Sequence, residues 1–567
     1  MPQSRKGKLD ARVLAKHGVT KSRLDNEDAF LFYQFLNPVC DPRKSGIEND
    51  GRMPYYTTVR PFSNGYATAE KGWGGGYGHE FVNTSEPELV HWEAVPIRHG
   101  ARGGTPGSLY HRWEPSDPDY DHWIADSITG TRFTQIKSIF KLNNNFTTPK
   151  PWQEGYDPAS KYDYICRCLV HNMAYFTEYA DMDAALDETT WGFGGWCGEV
   201  GGRLINKPGK NKGKCGTGDE LGARPFTTHN FLDVILIYIT SGGQTTMVID
   251  VGKRYPRAYA HRHKHQPRPD GFTQQGPSEV HQLLNKIDAH VAGRSEEQAS
   301  FQINDPVVGT ATYYNKIIYP TQPHITADNH FSGDNVLDYA GEKGYGFTVT
   351  TRRDRFTAGL KKFFHHTKEV ATKLTTKVMR YENPICAVKQ VQATETTKAY
   401  TKTHVSFQST GATNISGVNN LLSCSLYVTQ KSRGQKENKR VWGIENNPAR
   451  ELYLSTYFGI DNIDHMIKLA MIRYVTWKYW HAPYHHFKSM VVIAAYDMYQ
   501  ECCEGELCAD WFVPVKKRMG FRKFRLRLSE QMLTYDPRNN FYPGDSTFRV
   551  CTKQTKKRKN QQCQLRA

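Results

Sequence analysis

Apolar residues first recur at a helical period from His122 onward: in IADSITGTRFTQIKSIFKLN, Ile128, Phe133, Ile136, Ile139 and Phe140 form one stripe. YDYICRCLVHNMAYFTEYA predicts a second helix. AALDETTWGFGGW then brings an apolar approach, the acid pair Asp187 and Glu188, and a Gly-rich bend. Further on, FLDVILIYIT and QTTMVIDVGK are β-branched runs separated by SGG, which predicts a hairpin. GPSEVHQLLNKIDAHV predicts a helix and YYNKIIYPTQPHITADN a strand that stops at Asp328. VLDYAGEKGYGFTVTTRRDRF continues as helix, then strand. After NLLSCSLYVTQKS, a further strand, GIDNIDHMIKLAMIRYVTWKYW begins a helix whose apolar face is Ile460, Ile463, Met466, Ile467, Ala470 and Met471. Strand, hairpin, helix, strand in this order predicts an α/β fold with a mixed sheet. Residues 1–118 show little period and many Gly, Pro, Tyr and Trp, and are expected to be irregular or partly disordered. Their glycines form no phosphate loop, since no strand precedes them and no Gly-Lys-Ser/Thr follows.

Length and charge sharpen this outline. A chain of 567 residues exceeds one core and predicts three or four structural units. It has no run of about 18 apolar residues and no apolar leader, so neither a membrane nor a secretory role is expected. Its 12 Cys are scattered, which fits free thiols in a reducing compartment. The net charge of +17 is concentrated: Lys516–Ala567 carries 15 Lys/Arg against 3 Asp/Glu, and Arg352–Lys402 carries 12 against 4. Two basic segments on a near-neutral body favour a polyanion over merely solvated faces, because clustered cations neutralise phosphates and release counterions. Lys361 and Lys362 in one segment, and Lys516, Lys517, Arg518, Arg522 and Lys523 in the other, are the candidate phosphate contacts. The tail run Lys556, Lys557, Arg558 and Lys559 reads equally as a nuclear-localisation signal or a DNA contact.

Three acids stand at element ends: Asp187 and Asp328 where strands stop, Asp461 where a helix starts, with Asp464 one turn on. Each alone reads as a cap or turn residue. Together they suit hard divalent ions, which take carboxylate oxygens; two such ions about 3.5–4 Å apart stabilise both the attacking and the leaving oxygen of phosphoryl transfer. His261, His263 and His265 alternate among Arg and Lys and read as a phosphate-contacting loop rather than a metal site. The cluster CCEGELC lacks paired zinc spacing, and Trp477 and Trp480 read as core.

The segments LDETTWGFGG, ITADNHFSGDNVLDYAGEKGYGFTVTTRRDRF and YFGIDNIDHMIKLAMIRYVTWKYWHAPYHHFKSMVVIAAYDMY together resemble successive blocks of piggyBac-type transposases. TRFTQIKSIFKLNNN resembles the helical segment before that family's core, and Asn206, Lys207 and Pro208 echo an Asn-Lys-Pro after its first acid. The resemblance spans about residues 120–540. It implies an RNase H-like catalytic core, with Asp187, Asp328 and Asp461 as the catalytic and metal-holding triad and Asp464 as the accompanying fourth acid. It further implies two Mg²⁺ or Mn²⁺ ions per active site, a homodimer on double-stranded DNA, a nuclear location, and cut-and-paste strand cleavage and transfer at TTAA. The division it suggests is a helical part over 119–183 and 465–545, a core over 184–352 and 416–464, a basic insertion over 353–415 and a basic tail over 546–567. One departure is the tail: CTKQTKKRKNQQCQLRA supplies only Cys551 and Cys563, too few for the family's zinc domain, so zinc is not expected. Two rivals stay open: a transposase-derived DNA-binding protein that does not cut, and a plain nuclease of the same fold.

Overall fold

The computed structural model describes residues 8–39, 52–71, 82–149 apart from 105 and 145, 161–178 and 480–537, together with the strands named below and positions around 280–284, 324–350 and 453–470. Before the first acid run helices α1 (Ala11–Lys16), α2 (Lys21–Asp25), α3 (Ala29–Leu36), α4 (Tyr56–Lys71), α5 (Glu86–Ala101), α6 (His122–Ser127), α7 (Gly130–Ile139) and α8 (Asp163–Tyr175), with a 3₁₀ turn at Pro106–Trp113. Helices α9 (Gly459–Ala470), α10 (His481–Glu504) and α11 (Phe521–Leu533) follow the sheet.

The first 118 residues correct the expectation of irregularity. Their described part is helical and supplies much of the core, including Phe32, Phe35, Leu36, Tyr55, Tyr56 and Val90. The period failed for physical reasons: α3, AFLFYQFL, is buried almost all round and has no polar face, while α4 and α5 carry Pro61 and Pro96 in mid-helix. Local chemistry marks their starts. Asp28 caps α3 by accepting from Leu31 N–H, and Ser85 with Glu88 closes a capping box on α5.

These N-terminal helices pack on the C-terminal ones, α5 and α3 against α11 and α3 against α10. The division drawn from sequence therefore changes: helices α3, α4 and α5 belong to the same helical unit as α6–α8, α10 and α11, and the boundary at 464/465 falls inside α9. A buried ionic network pins the unit. Glu93 of α5, 2% exposed, accepts on Oε1 from Tyr55 (2.8 Å) and Tyr484 (2.8 Å), and on Oε2 from Tyr33 (3.0 Å) and Tyr56. Lys488 Nζ of α10 sits 2.6 Å from the same Oε2, over the ring of Tyr55 at 4.4 Å. Burial pulls the Lys488 ammonium below the usual lysine range and the Glu93 carboxylate pulls it back up.

The sheet begins with β1 (Lys8–Leu9) pairing antiparallel with β2 (Thr177–Glu178) as a small separate ribbon. The main sheet contains β3 (Asp183–Phe193), β4 (Ile205–Asn206), β5 (His229–Ser241) and β6 (Gln244–Lys253). A second ribbon is formed by β7 (Ser300–Asp305) and β8 (Gly309–Tyr314). The main sheet then continues with β9 (His324–Ala327), β10 (Gly346–Thr350), β11 (Lys377–Met379), β12 (Cys386–Val388), β13 (Tyr400–Thr410) and β14 (Leu422–Gln430). The expected SGG hairpin is β5–β6.

Through its centre the order is β6-β5-β3-β9-β10, with β5 and β6 antiparallel to their neighbours and β3, β9 and β10 mutually parallel. Val336, Tyr339 and Ala340 lie in helical backbone between β9 and β10, the crossover that a parallel pair requires. Beyond β10, β13 pairs antiparallel with it and carries β12 and β14. This corrects the view of residues 353–415 as an interruption: their strands extend the sheet. Lys361 and Lys362 lie outside the described residues.

Candidate active site

Parallel register decides which side chains meet. Leu186 of β3 is level with Ala327 of β9, so Asp187 and Asp328 come next along the two chains. β3 continues to Phe193, so Asp187 lies in mid-strand rather than at the strand end expected from the sequence; it is β9 that stops here, and with neighbouring strands about 4.8 Å apart Asp187 stands beside Asp328, the first residue past β9. Both are half-buried, behind the buried Ala184, Ala185 and Leu186 on one strand and Ile325, Thr326 and Ala327 on the other. β9 ends at Ala327, and the backbone turns with Phe331 N–H donating to Asp328 C=O at 3.4 Å.

Tyr453 reports on the pair. Its phenol is raised above the ordinary tyrosine range by burial first and then by Asp328, with a smaller push from Asp187, while a hydrogen bond with Thr350 at the end of β10 acts the other way. Tyr453 therefore lies within electrostatic range of both acids. Tyr453 stacks on Tyr457, ring centroids 4.9 Å apart at 8°. Three residues after Tyr453, Thr456 Oγ1 donates to Thr326 Oγ1 of β9 at 2.7 Å, and both hydroxyls are buried.

This strap fixes the entry to α9, which starts two residues before Asp461 and packs against β3, β5 and β6. The expected apolar face is present, with Ile463, Ile467 and Ala470 buried and Met466 packed against the core. Asp461 and Asp464 stand in the first turns of α9, where the helix dipole favours carboxylates; their side chains lie outside the described residues. Below the site, Gly346 opens β10 because a Cβ there would collide with the His324 imidazole, whose Nε2 bonds Thr348 Oγ1 at 2.8 Å.

The two half-buried acids, Asp187 in β3 and Asp328 just past β9, offer hard oxygen donors of the kind that suit Mg²⁺ or Mn²⁺ better than the softer metals. Among the described residues no group of three His, Cys, Asp or Glu closes a metal cage. Cys502 and Cys503 are buried thiols, the second pushed up to about 11 by burial. Trp480 is core, as expected, stacked on Phe140 at 6.1 Å.

The basic candidates separate into two kinds. Lys516 and Lys517 occupy an exposed 3₁₀ turn and make no ion pair among the described residues. Arg518 instead donates to Val513 C=O at 2.8 Å, Arg522 to Ala101 C=O at 3.0 Å, and Lys523 pairs with Glu27. These three stitch the helical unit together, which a count of charges along the chain does not reveal. Lys556, Lys557, Arg558 and Lys559, the residues His261, His263 and His265, and Trp477 lie outside the described residues. Tyr453 and Thr456 were missed by sequence reading; the signal was present in YLSTYFGID, two tyrosines four apart just ahead of the third acid.

No family model matches the chain, and no curated protein matches it in sequence. Among solved structures, its fold is similar to that of a piggyBac transposase in a synaptic complex with hairpin DNA: TM-score 0.54 at 11% identity, covering 91% of this chain and 82% of the transposase. The architecture is therefore transposase-like, and the resemblance read from three sequence blocks has a counterpart in the fold. No helix among the described residues is long and apolar enough to cross a membrane.

Proposed function

We propose that this chain is a piggyBac-like DNA transposase, cleaving and rejoining DNA strands at an RNase H-like core. The observation that carries the reading is the parallel register that pairs Leu186 of β3 with Ala327, the last residue of β9, so that Asp187 and Asp328 come next along the two chains, with the start of the Asp461 helix strapped over β9 by Thr456. The order β6-β5-β3-β9-β10, two antiparallel strands followed by two parallel ones around β3, supports the RNase H-like assignment.

In this reading Asp187, Asp328 and Asp461 hold two Mg²⁺ or Mn²⁺ ions and Asp464 assists. When bound, such ions neutralise developing charge on the attacking and leaving phosphodiester oxygens. The protein's own part is positional. Two carboxylates about 5 Å apart repel by about 3 kcal/mol at an effective dielectric near 20, so the apo site is poised for a cation. Tyr453, held neutral by burial and by both acids, keeps its proton and can donate to a carboxylate or a phosphate oxygen without carrying charge. Lys516 and Lys517 hold the DNA backbone, and the basic stretches at 361–362 and 556–559 add to this. The partner is double-stranded DNA bound by a homodimer, and the compartment is the nucleus.

The test is cleavage of DNA carrying candidate element ends, with and without Mg²⁺, by the unaltered chain and by Asp328→Asn. The chain should cut only with Mg²⁺, leaving 3′-hydroxyl ends that join to target DNA. Asp328→Asn should bind DNA equally well, lose cleavage by at least a thousandfold, and melt higher than the unaltered chain without metal. Cutting by the variant would overturn the assignment. Cutting without joining would leave a nuclease, and binding without cutting by either chain a transposase-derived binding protein.

A further inference from the structure

Away from the acids, a cavity of about 40 Å³ lies where α5, α10, α11 and the end of α9 meet, lined by Trp92, Glu93, Ala470, His485, Lys488 and Arg525 among others. A water needs about 10–15 Å³ on this measure, so the space suits a few waters or one small oxyanion. Its charges do not cancel. Glu93 and Lys488 neutralise each other, and the Glu93 oxygens are already filled by tyrosine hydroxyls. Arg525 is only 6% exposed and has no carboxylate partner among the described residues. One of its N–H groups donates to Leu469 C=O at 3.1 Å and its guanidinium lies 4.9 Å from the Phe521 ring, but Nε has no acceptor. Trp92 also lines the cavity, and its indole N–H is likewise buried without an acceptor.

Isolated buried charge of this kind is costly, and proteins ordinarily pair it. Burial pulls Arg525 down to about 10, with Arg522 nearby acting in the same sense. Arg522 itself makes no ion pair among the described residues, so a second uncompensated cation reinforces the field. A purely structural Arg525, capping the carbonyl end of α9, would use the Leu469 contact but leaves Nε and the Trp92 N–H unexplained.

We infer that this cavity is an oxyanion site, in which Arg525 and the Trp92 N–H bind a tetrahedral phosphate-type group. The group is either free phosphate or sulfate, or one backbone phosphate of bound DNA. Because Arg525 also holds Leu469, occupancy bears on the far end of the helix that begins with Asp461. The site's chemistry stands whether or not the chain proves to be a transposase.

Inorganic phosphate is titrated calorimetrically into the full chain at constant ionic strength, comparing the unaltered protein with Arg525→Gln and Trp92→Phe. A saturable site is expected that weakens at least tenfold in Arg525→Gln and several-fold in Trp92→Phe, which keeps the ring and loses only the donor. Should Arg525→Gln not fold, Trp92→Phe carries the comparison. Absence of saturable binding in the unaltered chain, or equal binding in the variants, overturns the site. A parallel titration with excess short DNA duplex identifies the source: displaced phosphate means a DNA phosphate occupies the cavity, and undisturbed phosphate means a free anion does; either upholds the site.

Discussion

Replacing Glu93 by Gln removes one charge from the centre of the helical unit while keeping its shape. The ammonium of Lys488 then loses the carboxylate 2.6 Å away, and four tyrosine hydroxyls trade an ionised acceptor for a neutral one. Breaking a buried pair by removing one member costs about 3–5 kcal/mol, because the survivor stays desolvated. The weakened tyrosine bonds push towards the upper end, since hydrogen bonds to charged groups contribute about 1.5–3 kcal/mol each against about 1 for neutral ones. The loss has a pH signature. Lys488 already sits below the usual lysine range through burial, and without Glu93 it falls further. The unfolded chain then binds one more proton than the folded one between that lowered value and the free-lysine value. Stability therefore rises with pH across this window, and the deficit of Glu93→Gln shrinks from pH 6 to pH 9. Urea unfolding followed by circular dichroism of the helices measures this. Adding Lys488→Met should recover about 2 kcal/mol or more, a coupling that only direct contact produces. A deficit under about 1 kcal/mol, or no recovery in the double variant, would refute the network as the centre of this unit.

Two more outcomes follow from the geometry. Thr456→Val removes the hydroxyl bridge to Thr326; it should cost about 1–3 kcal/mol and cut strand cleavage by ten- to a hundredfold, with DNA affinity by gel shift unchanged. His485 and His486 are both pulled down to about 3, chiefly by burial, so the folded state refuses protons that the unfolded state accepts below about pH 6.5. The stability they give is complete above that pH and drains away as pH falls towards 3. His486→Phe should shift the acid-unfolding midpoint, followed by circular dichroism, to lower pH, and an unmoved midpoint would count against this account.

What the chain reveals in one dimension depends on how local the physics is. The strand end before Asp328 and the start of α9 are written in short runs, and the SGG hairpin is turn chemistry alone, whereas the strand expected to stop at Asp187 runs on to Phe193 because β5 pairs with its far half. The pairing of β3 with β9 is legible only by analogy, because parallel register is set by residues more than a hundred positions apart. The N-terminal helices escaped for the opposite reason: buried on nearly every side, α3 offers no amphipathic contrast. Charge misled where partners are distant in sequence. Lys523 finds Glu27 in a surface ion pair and Arg522 finds the carbonyl of Ala101, so two members of an apparent DNA-binding cluster also make contacts within the fold. Lys516 and Lys517 sit exposed on a turn and make no ion pair among the described residues.

The helical unit is assembled from both ends of the chain: Leu9 N–H reaches the Glu501 carboxylate and Phe30 N–H the Gln531 side chain, across nearly five hundred residues. During synthesis at about 5–20 residues per second, the first helices wait on the order of half a minute or more for the surfaces that bury them. Throughout that interval AFLFYQFL is without its α10 and α11 partners and is a natural client for chaperones. A chain truncated anywhere before α11 lacks part of the surface that buries its own first helices.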